Sequence, residues 1–558
     1  MQETKRIRWS VFLPMAILLI TTAVIGVVNP IGLYNIQTSI VEFSTINFGW
    51  LFNITVLSLI VICLYLGYSK FGQIRFGGPD AKPTVTKWNW FAISLTAGIG
   101  VGILFWGLAE PITHFSSPPK ELGIMPGTEE AAIFAIASSL NHWTLVPYAL
   151  YVMSGIAVAY AHYNLKLPYK ISSTLYPLIG KRAFGITGTL VDCLCMFAIA
   201  GGMAAVLGEG VLQIGSGIGH LTNIPTGPVL WSILIIGITA TYIVSSYTGL
   251  QKGIQILSDQ NTKIFLFLLA FVFVFGPTVY ILNLGTQATG YFITHLPERI
   301  LWLSPMDGSD WARWWPIFNW CIWLAYAPII GMFLARLAYG RTIRDFVTFN
   351  LILPASFGAF WFWVFGGSSI YFDWMGGGEL WNLINNEAGG LELSLFAFLD
   401  HLPLTTIISW LMLITIFISF TTMADSLTTT VSSLTTTGNT VLNPEPPAKV
   451  KIFWGSLMGI MGLITITSGT GGEISGVDAI KQMATVAGFP VLFFIIIQTF
   501  ATLKGITKAE QYDRANHPAT AKLDIEEETS LLPTKDMTDM TKELSYNATT
   551  RENSGTIG

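Results

Sequence analysis

Charge is scarce in this chain. Only 11% of its 558 residues are Asp, Glu, Lys or Arg, against about 25% in an ordinary soluble domain. With 52% apolar residues and a mean hydropathy of +0.58, a soluble globular protein is excluded. Cysteine is scarce as well. Cys63, Cys193, Cys195 and Cys321 all fall in apolar runs, which excludes a disulfide framework. Cys193 and Cys195 are one residue apart, so on a helix they face different sides and make a poor metal pair. No nucleotide motif, metal-ligand cluster or nucleophile–base pair stands within the runs. An enzyme is therefore the last of the readings; no cofactor, metal or nucleic-acid partner is expected. No cleavable leader is expected either, because Lys5, Arg6 and Arg8 precede a long first run without an A-x-A-like site.

What the chain has is long apolar runs. About twelve are of membrane-helix length, near 10–28, 47–68, 88–109, 128–161, 186–213, 226–247, 262–283, 312–338, 347–371, 403–434, 450–469 and 479–503. Lys and Arg gather in alternate connections, for example Lys70, Arg75, Lys82 and Lys87, or Lys166, Lys170, Lys181 and Arg182. The connections between these are poor in basic residues and often acidic, as at Glu121, Glu129 and Glu130. The positive-inside rule then puts both termini in the cytoplasm. Thr286–Leu303 reads as a short helix lying on the outer surface, and Asn382–Phe398 as another. From Ile506 the composition turns acidic and poor in large apolar residues, and a disordered tail is expected.

One run is unlike the rest. Asp310–Phe346 starts in clustered tryptophans and ends at Arg336, Arg341 and Arg344. Trp311, Trp314 and Trp315 read as an interfacial belt. Trp320, Trp323 and Tyr326 recur every third residue and so share a helix face. Trp323 and Tyr326 lie deeper, beside Pro328 and Gly331, where no belt is needed. A ring face at that depth suits a quaternary ammonium or sulfonium cation, which has no N–H to donate and is held by cation–π attraction.

The stretch Gly331–Phe346, GMFLARLAYGRTIRDF, resembles the signature helix of the betaine/choline/carnitine transporter family. Its tryptophan part, WPIFNWCIW from Trp315 to Trp323, matches more loosely: Pro316, Asn319 and Ile322 depart from the family pattern. The resemblance runs from about Trp9 to Lys504. It implies an all-α membrane protein of the LeuT type, with a five-plus-five inverted repeat behind two extra helices. It divides the chain into 1–87 (N-terminus and two peripheral helices), 88–285 (first repeat), 286–310 (surface helix), 311–505 (second repeat) and 506–558 (tail). It also implies a homotrimer in the cell membrane and secondary transport of a small onium zwitterion by alternating access; the alternative is a proton- or sodium-coupled carrier of choline or another small amine or sulfonate, and a channel is the rival from another class.

The resemblance extends to site residues. Ala97–Pro111, AGIGVGILFWGLAEP, matches the family's glycine stretch, which unwinds beside the substrate; Gly98, Ile99, Gly100 and Gly102 stand there. Taken alone, these glycines read as helix packing. Gly102 is a position where choline carriers tend to hold an aspartate, so the substrate is expected to bring its own negative charge. In Ser138–Tyr151, SSLNHWTLVPYALY, Trp143, Tyr148 and Tyr151 take the aromatic-box positions, with Tyr148 a departure from tryptophan. Trp143 and Trp323 would close a cage, with Tyr326 on the inward path. His142 reads as a packed or interfacial histidine. Asp192 and Asp425 read as structural partners, and Glu209 either as a water-facing residue at a span end or as a proton-titrating carboxylate.

The sodium positions look degraded. Thr422-Met423 stands where sodium-coupled members carry Thr-Ser. Ile199 and Met203 replace threonines, and Ile329 replaces one of two phenylalanines, Phe333 being the other. Thioether sulfur is a poor ligand for a hard cation, so weak sodium dependence is expected, with substrate exchange or proton coupling in its place.

Overall fold

The computed structural model of the protein describes residues 5–87, 90–91, 94, 102–248, 251–306, 310–386, 390–437, 446–468 and 476–520. The described chain is almost entirely helical. That is the expected answer to a lipid setting, where a backbone must satisfy its polar groups within each segment. In chain order the helices are α1 (Trp9–Val28), α2 (Pro30–Tyr68), α3 (Gly102–Ser116), α4 (Glu129–Trp143), α5 (Leu145–Ala159), α6 (Ile186–Thr222), α7 (Pro228–Thr248), α8 (Gln251–Phe275), α9 (Thr278–Leu301) and α10 (Phe318–Arg336). Then come α11 (Ile343–Met375, carrying two π-turns), α12 (Glu379–Asn386), α13 (Gly390–Leu399), α14 (Thr405–Leu434), α15 (Ala448–Ser468) and α16 (Gly476–Thr507).

Nine helical spans among the described residues are long and apolar enough to cross a membrane, and ten if α8 and α9 count as one bent span. With the shorter α7 and with α3, described only from Gly102, they account for the twelve expected runs. Strand is confined, among the described residues, to one antiparallel pair, β1 (Arg6–Ile7) on β2 (Thr436–Thr437). It ties the N-terminus to the end of α14.

Three expectations need correction. The surface helix does not begin at Thr286. Gly276 and Pro277 interrupt the apolar run, and the chain turns by 105° into α9, which starts at Thr278. Proline cannot donate the next helical hydrogen bond, and glycine offers no side chain to hold the axis. The second surface segment is two short helices, α12 and α13, with 387–389 between them outside the described residues. The tail is not loose from Ile506: α16 continues to Thr507, and Asp513 is buried. Its carboxylate accepts from Asn164 Nδ2 at 3.0 Å and from Asn516 at 2.8 Å. Residues 521–558, the rest of the expected tail, lie outside the described residues.

Helix α10 sits at the centre, packed against α5, α6 and α16. Small residues permit the approach. A Cβ on Gly331 would stand 2.7 Å from the Ser154 side chain on α5, so this pair of helices closes only with glycine there. The acidic residues Asp192 and Asp425 are structural partners, as expected. Asp192 takes Arg8 at 2.6 Å and the Ser172 amide at 3.3 Å, and Asp425 faces Lys451 at 3.4 Å.

Candidate functional site

The break between α4 and α5 positions the first half of the site. Pro147 has no N–H for the carbonyl of Trp143, four residues earlier. The helix therefore ends at Trp143 and restarts at Leu145, with Thr144 in neither helical nor extended conformation (φ −113°, ψ −100°). Trp143 is the last residue of one helix, and Tyr148 and Tyr151 follow from the first turns of the next. Trp323 and Tyr326 come from the middle of α10.

These residues meet. The Trp143 and Trp323 rings lie 4.9 Å apart, centre to centre, at 81°. Tyr151 stands edge-on to Trp323 at 6.3 Å, and Tyr148 edge-on to Tyr151 at 6.5 Å. Tyr326 follows Trp323 by three residues on α10; its side chain is buried, and a Cβ on Gly202 of α6 would stand 3.1 Å from its ring. All five side chains are buried. Gly102 abuts the cage: a Cβ there would come within 2.7 Å of the Trp143 indole. Gly98, Ile99 and Gly100 lie outside the described residues.

The sequence reading missed what holds the cage. Glu110, near the middle of α3, accepts a hydrogen bond from Trp143 Nε1 at 2.7 Å and pairs through its other oxygen with His142 Nδ1 at 2.5 Å. The carbonyl of His142 accepts from Trp323 Nε1 at 2.9 Å. Both cage indoles are thus fixed by their N–H edges to one Glu110–His142 bracket, which leaves their π faces to the cage. A carboxylate is a strong acceptor for two such donors, and in a membrane interior a buried acid has to be paired. Of the two expected readings, His142 is the packed one and not the interfacial one: it is buried and hydrogen-bonded to Glu110. Phe362 on α11 also joins the group, 5.9 Å from Trp143. The one available signal was Glu110 itself, a carboxylate directly after the apolar run near 88–109 and within the glycine stretch Ala97–Pro111.

His114, one turn after Glu110, lies 3.5 Å from the same carboxylate oxygen. Ligand atoms of Glu110, His114 and His142 fall within 4.8 Å of one another, close enough to consider an ion. The 2.5 Å Glu110–His142 separation is that of a hydrogen bond. Two atoms on one ion with bonds near 2.0–2.1 Å stand about 3.3 Å apart in tetrahedral geometry. In this structure Glu110 and His142 are hydrogen-bonded, with His114 alongside.

The ion-coupling candidates are not gathered in the cage. Met203 is buried on α6, and its sulfur accepts from the Thr428 hydroxyl at 3.8 Å. The Thr422 hydroxyl is turned back on its own helix, to the carbonyls of Ile418 at 2.9 Å and Ser419 at 3.0 Å. Met423 and Phe333 are half-buried, while Ile199 and Ile329 are buried. Glu209 does not face water at a span end. It is buried, bonded to the Trp106 side chain, and one of its oxygens has no hydrogen-bond partner among the described residues.

A many-span helical membrane protein with a buried aromatic cage between its central helices has the build of a carrier for a small cation-bearing solute. Comparison with known proteins gives the family. Residues 10–511 match the profile described as "BCCT, betaine/carnitine/choline family transporter", and the chain belongs to that family. It is similar to the glycine betaine transporter OpuD of Bacillus subtilis, 34% identical over 91% of this chain and 98% of that protein. A probable glycine betaine transporter of Desulfitobacterium hafniense is 33% identical over 88% of this chain and 95% of its own. The ectoine/hydroxyectoine transporter of Virgibacillus pantothenticus is 33% identical over 90% and 98%.

Proposed function

We propose that this protein is a secondary carrier of a betaine-like zwitterion, working by alternating access in the cell membrane with both termini in the cytoplasm. The observation that carries the reading is the Trp143–Trp323 pair: two near-perpendicular indoles whose N–H groups are already bonded to protein. Such a pair offers π faces and no donor, which matches an onium group. The hydroxyls of Tyr148 and Tyr326 are buried without a hydrogen-bond partner among the described residues. Orphaned buried hydroxyls cost free energy, and a substrate carboxylate would satisfy them. Family membership supports the five-plus-five repeat and the homotrimer. The relatives' printed substrates make glycine betaine the first ligand to test and ectoine the second. Binding to the purified protein should follow that order over choline. Uptake that saturates and shows counterflow is expected of a carrier; a linear, non-saturating flux would mean a channel.

Gly102→Asp tests the charge argument. In this fold the new side chain meets the Trp143 indole, because even a Cβ at this position lies 2.7 Å from it. Overpacking of this kind costs about 1–3 kcal/mol. Zwitterion affinity is expected to fall roughly ten-fold or more, and preference in competition binding to move towards choline. A variant that still prefers betaine at wild-type affinity would remove Gly102 from the site.

The coupling is proposed to need little sodium. Met203 offers sulfur, and the Thr422 hydroxyl is bonded within its own helix, whereas sodium wants oxygen. Uptake into proteoliposomes is expected to persist when potassium replaces sodium at fixed pH and voltage. Its collapse, with recovery in millimolar sodium, would overturn this part of the reading.

A further inference from the structure

A second group of aromatic rings lies beside the cage, and it already holds a cation. Lys481 is on α16. Its ammonium is 4.6 Å from the ring centre of Trp315, 5.3 Å from that of Trp106 and 5.4 Å from that of Phe318. The three rings make a box: Trp106 and Trp315 stand at 86° with centres 5.8 Å apart, and Trp106 and Phe318 at 65° and 6.3 Å. The ring of His114 lies 4.4 Å from Trp315. The charges of Asp478 on the same helix and of Glu110 on α3 act on the ammonium. Glu209 touches the box through the Trp106 side chain.

The place of this box is informative. Trp315 precedes Trp323 by eight residues on one span, about 12 Å along a helix. Trp106 is on α3, four residues from Glu110, which holds the cage. Lys481 thus bridges α16 to α3, which carries Glu110, and to the span that carries Trp323. An alternating-access carrier must part such helices to admit its substrate, so a bond across all three has to be reversible. Cation–π contacts have that strength, enough to bias an equilibrium and too little to freeze it. An ordinary packing residue at 481 would need no charge, and an ammonium in an apolar span is costly unless held.

We propose that Lys481 is a gating residue: its ammonium, seated on Trp106, Trp315 and Phe318, latches the end of the substrate route that the charge pattern of the connections places outside. The inference rests on the carrier reading above, but its test does not use a substrate. Asn319 is buried, one residue after Phe318 and four before Trp323 on the same span, and is used to report whether this end is open. An Asn319→Cys substitution is made in the full-length protein and in variants that add Lys481→Met, Lys481→Arg or Phe318→Leu. Labelling by a charged thiol reagent is measured in detergent, over the rate of the four native cysteines. Lys481→Met is expected to speed labelling about three- to thirty-fold, the range of one to two cation–π contacts. Phe318→Leu should give a smaller rise, and Lys481→Arg a rate near the parent's, at unchanged melting temperature. Equal rates with Lys, Met and Arg at 481, or a rise in Lys481→Arg as large as in Lys481→Met, would overturn the latch. A protein that binds no zwitterion yet shows the expected labelling would sink the substrate reading and leave the latch standing.

Discussion

Trp323→Ala is expected to weaken substrate binding at least several-fold while the protein still folds and assembles. The indole supplies one of the two facing walls of the cage, 4.9 Å from Trp143. Loss of one cation–π face is worth about 0.5–2 kcal/mol. Truncating a buried tryptophan adds a cavity cost of about 3–5 kcal/mol to stability. Separately, the carbonyl of His142 loses the Trp323 N–H. The two effects separate on measurement. A melting curve reads the cavity, and a titration with glycine betaine on protein that remains folded reads the wall. Unchanged affinity in folded Trp323→Ala would take Trp323 out of the site.

Glu110→Ala is expected to do more damage, though Glu110 faces neither cage nor solvent. Its carboxylate satisfies the Trp143 N–H at 2.7 Å and His142 at 2.5 Å, all three side chains being buried. Removing it strands two polar groups, at about 1–3 kcal/mol each and more where charge is involved. A lower melting temperature and loss of binding are both expected. Glu110→Gln is the sharper variant. The amide keeps the size but has only one oxygen, so one former partner now faces an NH2 group. If Glu110 positions the cage, Glu110→Gln should lose affinity out of proportion to its loss of melting temperature. Full affinity with reduced stability would make Glu110 a structural residue only.

The span positions were legible because lipid imposes one requirement on every run: length and apolarity. The cage was legible in part. Trp143, Tyr151 and Trp323 sit where pattern and resemblance put them, and the structure brings them together. The Glu110–His142 bracket was not legible, because its two members are 32 residues apart and on different helices. No spacing rule joins them. A carboxylate at the AEP of Ala109–Pro111 read as the end of a run. The 105° turn was hidden because Gly276 and Pro277 are embedded in apolar sequence, so hydropathy ran on through the corner. Lys481 drew no notice in an apolar run. Its meaning depends on Trp106, Trp315 and Phe318, none of which is near it in sequence. The packed start of the tail was missed for a related reason: Asp513 counts as acidic composition until Asn164 is seen beside it.

The bond from Trp323 to the main chain of His142 bears on how freely this site can change by mutation. A main-chain carbonyl is present whatever side chain follows it. Any residue at 142 that keeps the α4 ending can go on holding Trp323, whereas Trp143 depends on the carboxylate of one particular side chain. The two walls of the cage therefore differ in mutational tolerance. In a saturation scan scored by zwitterion uptake, position 142 should accept a few residues whose side chains can still donate to Glu110, and position 110 almost none. Substitutions that shift the helix break, at Thr144 or Pro147, should be depleted along with position 110.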